Sequence, residues 1–130
     1  MKRIFHYLLI LCVAFSITGC FSLDPRESAA FDLSLNFRHF LLEKDITLFE
    51  IEELFGEPDA KSDGHPKVAI SYIGGNFYWK NSEKNRKILE SHIPRYFLEN
   101  KDNFNKCLLI FGFSYDEVRN EYILNDVFCY

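Results

Sequence analysis

Thiols are the most reactive side chains this sequence offers, and there are four: Cys12, Cys20, Cys107 and Cys129. A thiol can act as nucleophile, metal ligand, acylation site or half of a disulfide, and its neighbours decide which. None of His39, His65 and His92 has a second ligand at metal spacing, and there is no His-Glu-x-x-His helix. The acids Glu50, Glu52, Glu53, Glu57 and Asp59 lack the alternating spacing of a calcium loop and read as a solvated helix face. Gly74-Gly75 lacks the Lys and the following helix of a phosphate loop, and no Ser stands in a Ser-His-Asp pattern. The expectation is a non-enzymatic protein with no metal and no cofactor.

The N-terminus carries the clearest signal. Lys2 and Arg3 precede an apolar run from Ile4 to Ile17, broken only by His6 and Ser16, and small residues follow. A basic start, a short apolar stretch and small residues at the cut make a secretory signal peptide. The apolar run is about 14 residues, whereas a bilayer-spanning helix needs roughly 20. Ile17-Thr18-Gly19-Cys20 resembles a bacterial lipobox. That resemblance implies cleavage before Cys20 and acylation of its thiol. It divides the chain into a signal peptide (1–19), an acylated Cys20 with a short tether (20–23) and one domain (24–130). In the Gram-negative sorting pattern Asp after the Cys retains a lipoprotein at the inner membrane; Phe21 stands there, which implies the outer membrane, facing the periplasm.

Cleavage would remove two of the 15 basic residues and none of the 19 acids, moving the net charge from −4 to −6. An acidic domain lacks the clustered positive charge that nucleic acid demands. It gains little from anionic headgroups, so attachment must come from acyl chains, at ~0.8 kcal/mol per buried CH₂. The three residues Phe21, Ser22 and Leu23 span at most ~10 Å, which holds the domain close to the membrane.

The remaining residues must build the body, with 48% hydrophobic and 26% charged residues excluding collagen, coiled coil and disordered tail. Asp24-Pro25-Arg26-Glu27 starts a helix, and Ala30, Leu33, Phe37, Phe40 and Leu41 give it an apolar stripe ending near Lys44. Thr47-Leu48-Phe49-Glu50 is a capping box; Gly56 is a left-handed helix stop and Pro58 prevents continuation. Val68 to Ile73 and Phe77-Tyr78-Trp79 read as strands about a glycine turn or bulge. Lys80 to Glu90 is a loop or an exposed helix capped by Ser82, Pro94 to Leu98 a short strand or irregular segment, and Asn100 to Lys106 a polar turn. Cys107–Phe113 and Tyr122–Tyr130 make a final hairpin. The order predicts an α+β domain, two N-terminal helices packed on one face of a small antiparallel sheet.

Two site expectations follow. A hairpin turning near residue 118 sets Cys107 opposite Cys129, at about 4.5–5.5 Å between Cα atoms, within disulfide range. In an exported, oxidising setting the bond would add roughly 3 kcal/mol. Second, the aromatic content is high, 17%, and is concentrated in the expected sheet: Tyr72, Phe77, Tyr78, Trp79, Tyr96 and Phe97. Alternation fills the core with one set and leaves the other as interface anchors. Tyr72, Tyr78 and Tyr96 are the candidates, with Tyr78 outward if Phe77 and Trp79 point inward.

The segment Ile46 to Asp59, a capped helix running into Gly56-Glu57-Pro58, resembles the helix–Gly–x–Pro element of the SmpA/OmlA/BamE-type outer-membrane lipoproteins. Those proteins share a two-helix, antiparallel-sheet fold with the β-lactamase inhibitory proteins. The resemblance implies a lipid-anchored scaffold that binds an envelope protein, at an outer-membrane complex. The alternative is a periplasmic inhibitor or immunity protein, whose acidic charge suits a basic enzyme or toxin.

Overall fold

The computed structural model describes residues 24–130. The expected signal peptide, the expected acylation site Cys20 and the expected tether lie outside the described residues. Helix α1 (Pro25–Leu41) begins as its sequence dictates: the Asp24 carboxylate accepts from the Arg26 N–H at 3.0 Å, and Pro25 takes the first turn. Ala29, Ala30, Leu33, Phe37 and Leu41 form its buried stripe. A 3₁₀ turn, Leu42–Lys44, ends at left-handed Asp45. Helix α2 (Leu48–Phe55) opens on the expected capping box. Thr47 Oγ1 accepts from the Glu50 N–H at 3.2 Å, and Glu50 Oε1 accepts from the Thr47 N–H at 3.4 Å. Gly56 ends it at φ 89° and ψ −172°, an extended positive-φ conformation rather than the expected left-handed turn.

Four antiparallel strands follow in spatial order: β1 (Ala60–Lys61), β2 (Lys67–Ile73), β3 (Leu108–Asp116) and β4 (Glu121–Cys129). The domain is α+β, as its element order predicts. Alternation along β2 buries Val68, Ile70 and Tyr72, and the neighbouring strands bury Leu109, Phe111, Phe113, Leu124 and Val127. The helices cover this face.

Between β2 and β3 lie four short helices: α3 (Asn76–Trp79), α4 (Glu83–Glu90), α5 (Arg95–Glu99) and α6 (Lys101–Phe104). Three expectations are corrected here. Phe77-Tyr78-Trp79 is helix, not strand. Gly74 and Gly75, at φ 69° and 67°, turn the chain out of the sheet plane, and a side chain at Gly74 would meet the Asn105 carbonyl at 2.5 Å. Phe77 then drops into the core against Phe37, Phe55, Tyr72 and Phe104. Pro94 to Leu98 forms helix α5 behind Pro94, and the polar stretch after Asn100 contains α6, which carries Phe104 into the core. The segment after Lys80 takes its helical alternative, with Ser82 Oγ accepting from the Asn85 N–H at 3.3 Å.

The hairpin of β3 and β4 turns through Glu117–Asn120, where Asp116 Oδ1 accepts from the Val118 and Arg119 N–H groups and Asn120 adopts φ 60°. The four-residue turn sets the ladder one position off the expected register, with Asp116 opposite Glu121, and a bulge at Gly112/Phe113 adds a second, so Cys129 pairs with Leu109 rather than Cys107. The expected direct opposition of the two cysteines is therefore corrected.

Helix α1 runs antiparallel to β4. Arg38 Nε donates to the Val127 carbonyl at 2.8 Å, and farther along the chain the Ile46 carbonyl accepts from the Leu124 N–H at 2.9 Å. The start of α1 therefore lies at the end of the sheet where β4 finishes.

Gly56 has open space around its α-carbon, so a side chain there meets only the backbone penalty. Gly56→Ala is expected to cost about 1–3 kcal/mol in urea unfolding. Gly112→Ala, which meets only ordinary contacts at 3.5 Å, should stay within about 0.5 kcal/mol.

Candidate interaction surface

Two of the three tyrosines expected to face a partner, Tyr72 and Tyr78, are turned inward. Tyr72 is 1% exposed, and its hydroxyl donates to the Gly56 carbonyl at 2.7 Å. Burial, then the Glu52 and Asp59 charges, raise its phenol pKa well above the ordinary range. This bond joins β2 to the stop of α2. Tyr78 lies on α3 and is buried, its ring 4.8 Å from Trp79. Burial, followed by Glu90, pushes its pKa up. Tyr96 is half-buried on α5, its hydroxyl accepting from Asn103 Nδ2 at 2.7 Å. The outward placement of Tyr78 is thus corrected: a helical backbone replaces the two-residue alternation on which it rested. Tyr72 is inward on β2, in phase with Val68 and Ile70.

The sheet's uncovered face holds other apolar residues, and strand register sets them in rows. At the end where β4 finishes, Ile73 pairs with Leu108, and Leu108 exchanges both backbone hydrogen bonds with Tyr130. The next row runs Ala60, Ser71, Ile110 and Phe128. Then come Ala69, Gly112 and Asp126, and last Lys67, Ser114 and Ile123. Ile73, Phe128 and Tyr130 are exposed by 53%, 39% and 70%. Beside them the small side chains Ala69 and Ser71 leave a shallow hollow of about 310 Å³ next to Ile110. Sequence reasoning missed this surface. Its signal was the unbroken run Leu108-Leu109-Ile110-Phe111, apolar on both faces where a half-solvated antiparallel strand should alternate.

The opposite end of the domain has its own exposed pair. Phe49, in the first turn of α2, and Val118, at the hairpin tip, are 72% and 96% exposed. The acids Glu50 and Glu53 lie exposed on the same helix as Phe49.

The Gly56–Pro58 stop lines a cleft of about 440 Å³, shared with Asp59, Asn76, Lys80 and Asn81. Of its two carboxylates, Asp59 is committed to the fold, accepting from the Ile73 N–H at 2.7 Å and from Asn76 Nδ2 at 3.3 Å, while Glu57 is exposed. The histidines are likewise scattered among structural contacts. His65 Nδ1 lies 2.6 Å from the Tyr122 hydroxyl, His92 stacks on Phe40 at 3.9 Å, and His39 is exposed. Among the described residues no three His, Cys, Asp or Glu side chains gather as metal ligands, and no helix is long and apolar enough to cross a membrane.

Cys107 and Cys129 do approach, as diagonal neighbours on the inner face of the hairpin. Their sulfurs lie 2.7 Å apart, with Cys107 buried and Cys129 half-buried. Both are free thiols here. The contact with Cys107, then burial, raises the Cys129 pKa strongly.

Comparison with family models, with curated proteins and with solved structures gave no match.

Two measurements bear on these groups. Thiol titration of protein recovered from an oxidising compartment is expected to find Cys107 and Cys129 joined, with reduction lowering unfolding stability by roughly 3 kcal/mol; two free thiols would show that proximity does not lead to oxidation. Burial, then the Lys44 charge, holds His92 below its ordinary 6.5. The unfolded chain therefore takes up the proton first, and stability falls as pH drops below 6.5. Urea midpoints taken between about pH 8 and about pH 5 should fall more in the wild type than in His92→Gln.

Proposed function

We propose that this chain is a lipid-anchored envelope lipoprotein that acts as a non-catalytic protein-binding scaffold, held by acyl chains on Cys20 at the outer membrane and facing the periplasm. It resembles the SmpA/OmlA/BamE-type lipoproteins in its lipobox, its size and its helix–Gly–x–Pro element. The observation that carries the binding role is Phe49 with Val118, two large apolar side chains held in solvent on a capped helix and a tight hairpin. Exposed apolar groups on rigid supports serve as interface anchors because little conformational entropy is lost on docking. Both stand at the end of the domain away from the start of α1.

The acids Glu50 and Glu53 beside Phe49 favour one further reading, an inhibitor or immunity protein whose target is basic. The two readings share a surface and differ in what occupies it.

Cys20→Ser is expected to abolish acylation and release the protein from the membrane fraction. A photoreactive benzophenone side chain at position 49 or 118, irradiated in intact cells, should give one recurring protein adduct identifiable by mass spectrometry. Absence of any protein adduct at both positions would overturn the scaffold role, and a basic secreted enzyme or toxin in that adduct would select the inhibitor.

A further inference from the structure

The exposed apolar side chains of the sheet are not spread evenly, and their gradient has a direction. On the uncovered face the two rows nearest the end of β4 carry Ile73, Leu108 and Tyr130, then Ile110 and Phe128, with no charged residue among them. The two rows farther away carry Gly112 with Asp126 and Ser114 with Lys67. Large apolar groups thus crowd one end, and small or charged groups occupy the other.

That end is also where the chain enters the domain. Arg38 touches Val127, and α1 runs antiparallel to β4, so the helix start projects past the last residues of the sheet. Phe31 lies two turns before Arg38 and on the same side of α1. It is 61% exposed, and Arg38 itself reaches over the Phe128 ring at 5.5 Å. Phe31 therefore extends the apolar rows of the sheet onto the helix. From Pro25 to Phe31 is about 9 Å of helix, and the residues 21–23 before Asp24 add at most ~10 Å.

We infer that Phe31, Ile73, Leu108, Phe128 and Tyr130 form a membrane-resting rim, in contact with the interfacial zone of the bilayer that carries Cys20. The inference rests on the anchor proposed above and names the surface that the anchor brings down. The chemistry fits a lipid surface better than a protein groove. The rim lies where two elements meet, it mixes aromatic and branched aliphatic side chains, and it places a Tyr and an Arg at its border, where amphipathic groups reach headgroup level. The side chains of its two rows are uncharged, and the Asp59 carboxylate that reaches the Ile73 N–H is held in that bond, so the rim suits a zwitterionic interface, and the acidic domain gains nothing from anionic lipid. The rim by itself is too small to hold the protein in place; the acyl chains retain it, and the rim sets its orientation. The tip residues Phe49 and Val118 then face away from the membrane.

The test uses the full acylated chain reconstituted in phosphatidylcholine vesicles, with benzophenone placed singly at position 31, 130 or 118, all exposed sites that tolerate the change. Phospholipid adducts at 31 and 130 are expected to exceed those at 118 several-fold. Equal phospholipid adducts at all three positions would overturn the rim. So would adducts to a second copy of the chain at 31 and 130 in place of lipid, which would make the sheet face a self-association surface. The mass of the N-terminal peptide from the same sample separates the two levels: an acylated Cys20 with no lipid adduct at 31 and 130 sinks the rim and leaves the anchor, whereas an unmodified Cys20 removes both.

Discussion

One aromatic ring joins every layer of this domain. Phe55, the last residue of α2, is 1% exposed and lies 5.2 Å from Phe37 on α1, 5.5 Å from Phe77 on α3 and 5.8 Å from Tyr72 on β2. Its closest ring is Phe111 on β3, at 4.8 Å. Edge-on and tilted contacts of this kind add to the area buried, because the positive ring edge meets a neighbour's negative face. α2 is only two turns long and has no stability of its own. Its position is held by this ring and by the Tyr72 hydroxyl on the Gly56 carbonyl one residue later. The helix stop that ends α2 is therefore also the point at which it is fastened to the sheet, and the mouth of the Gly56–Asp59 cleft follows from that fastening.

The parts of the fold that were legible in the sequence are those fixed by local chemistry. Asp24-Pro25 and the Thr47–Glu50 box start helices through hydrogen bonds spanning three residues or fewer, so their signals survive any tertiary context. The strand of Val68, Ile70 and Tyr72 was legible through its alternation. Phe77-Tyr78-Trp79 was not, because aromatic residues favour strands by type while the backbone here obeys Gly74 packed on Asn105, a contact from thirty-one residues away. The cysteine pair shows a third case. Its proximity was legible, but its register was not, since the exact length of the turn is unmarked and the bulge at Gly112/Phe113 has no marker beyond the glycine itself.

The apolar surfaces were the least legible feature. A residue's type says whether it prefers burial, and only the fold says which of two faces is covered. Ile110 and Phe111 differ by one position and have nearly the same hydrophobicity. Phe111 is completely buried, whereas Ile110 lines the shallow hollow on the uncovered side. The candidates chosen by aromatic type, Tyr72 and Tyr78, belong to the core for the same reason. Ile73, Leu108, Ile110, Phe128 and Tyr130 form the outer surface instead.

The two borders of the sheet have a consequence for how anything can attach to it. At one border Arg38 holds the Val127 carbonyl and Ile46 holds the Leu124 N–H; at the other, β1 is two residues long, with Ser62 and Asp59 side chains taking the next N–H groups of β2. An incoming extended segment would find no free run of main-chain donors and acceptors on either side. Recognition by strand addition is thereby closed off, as is templated growth of the sheet into fibrils. Whatever meets this domain must grip its side chains.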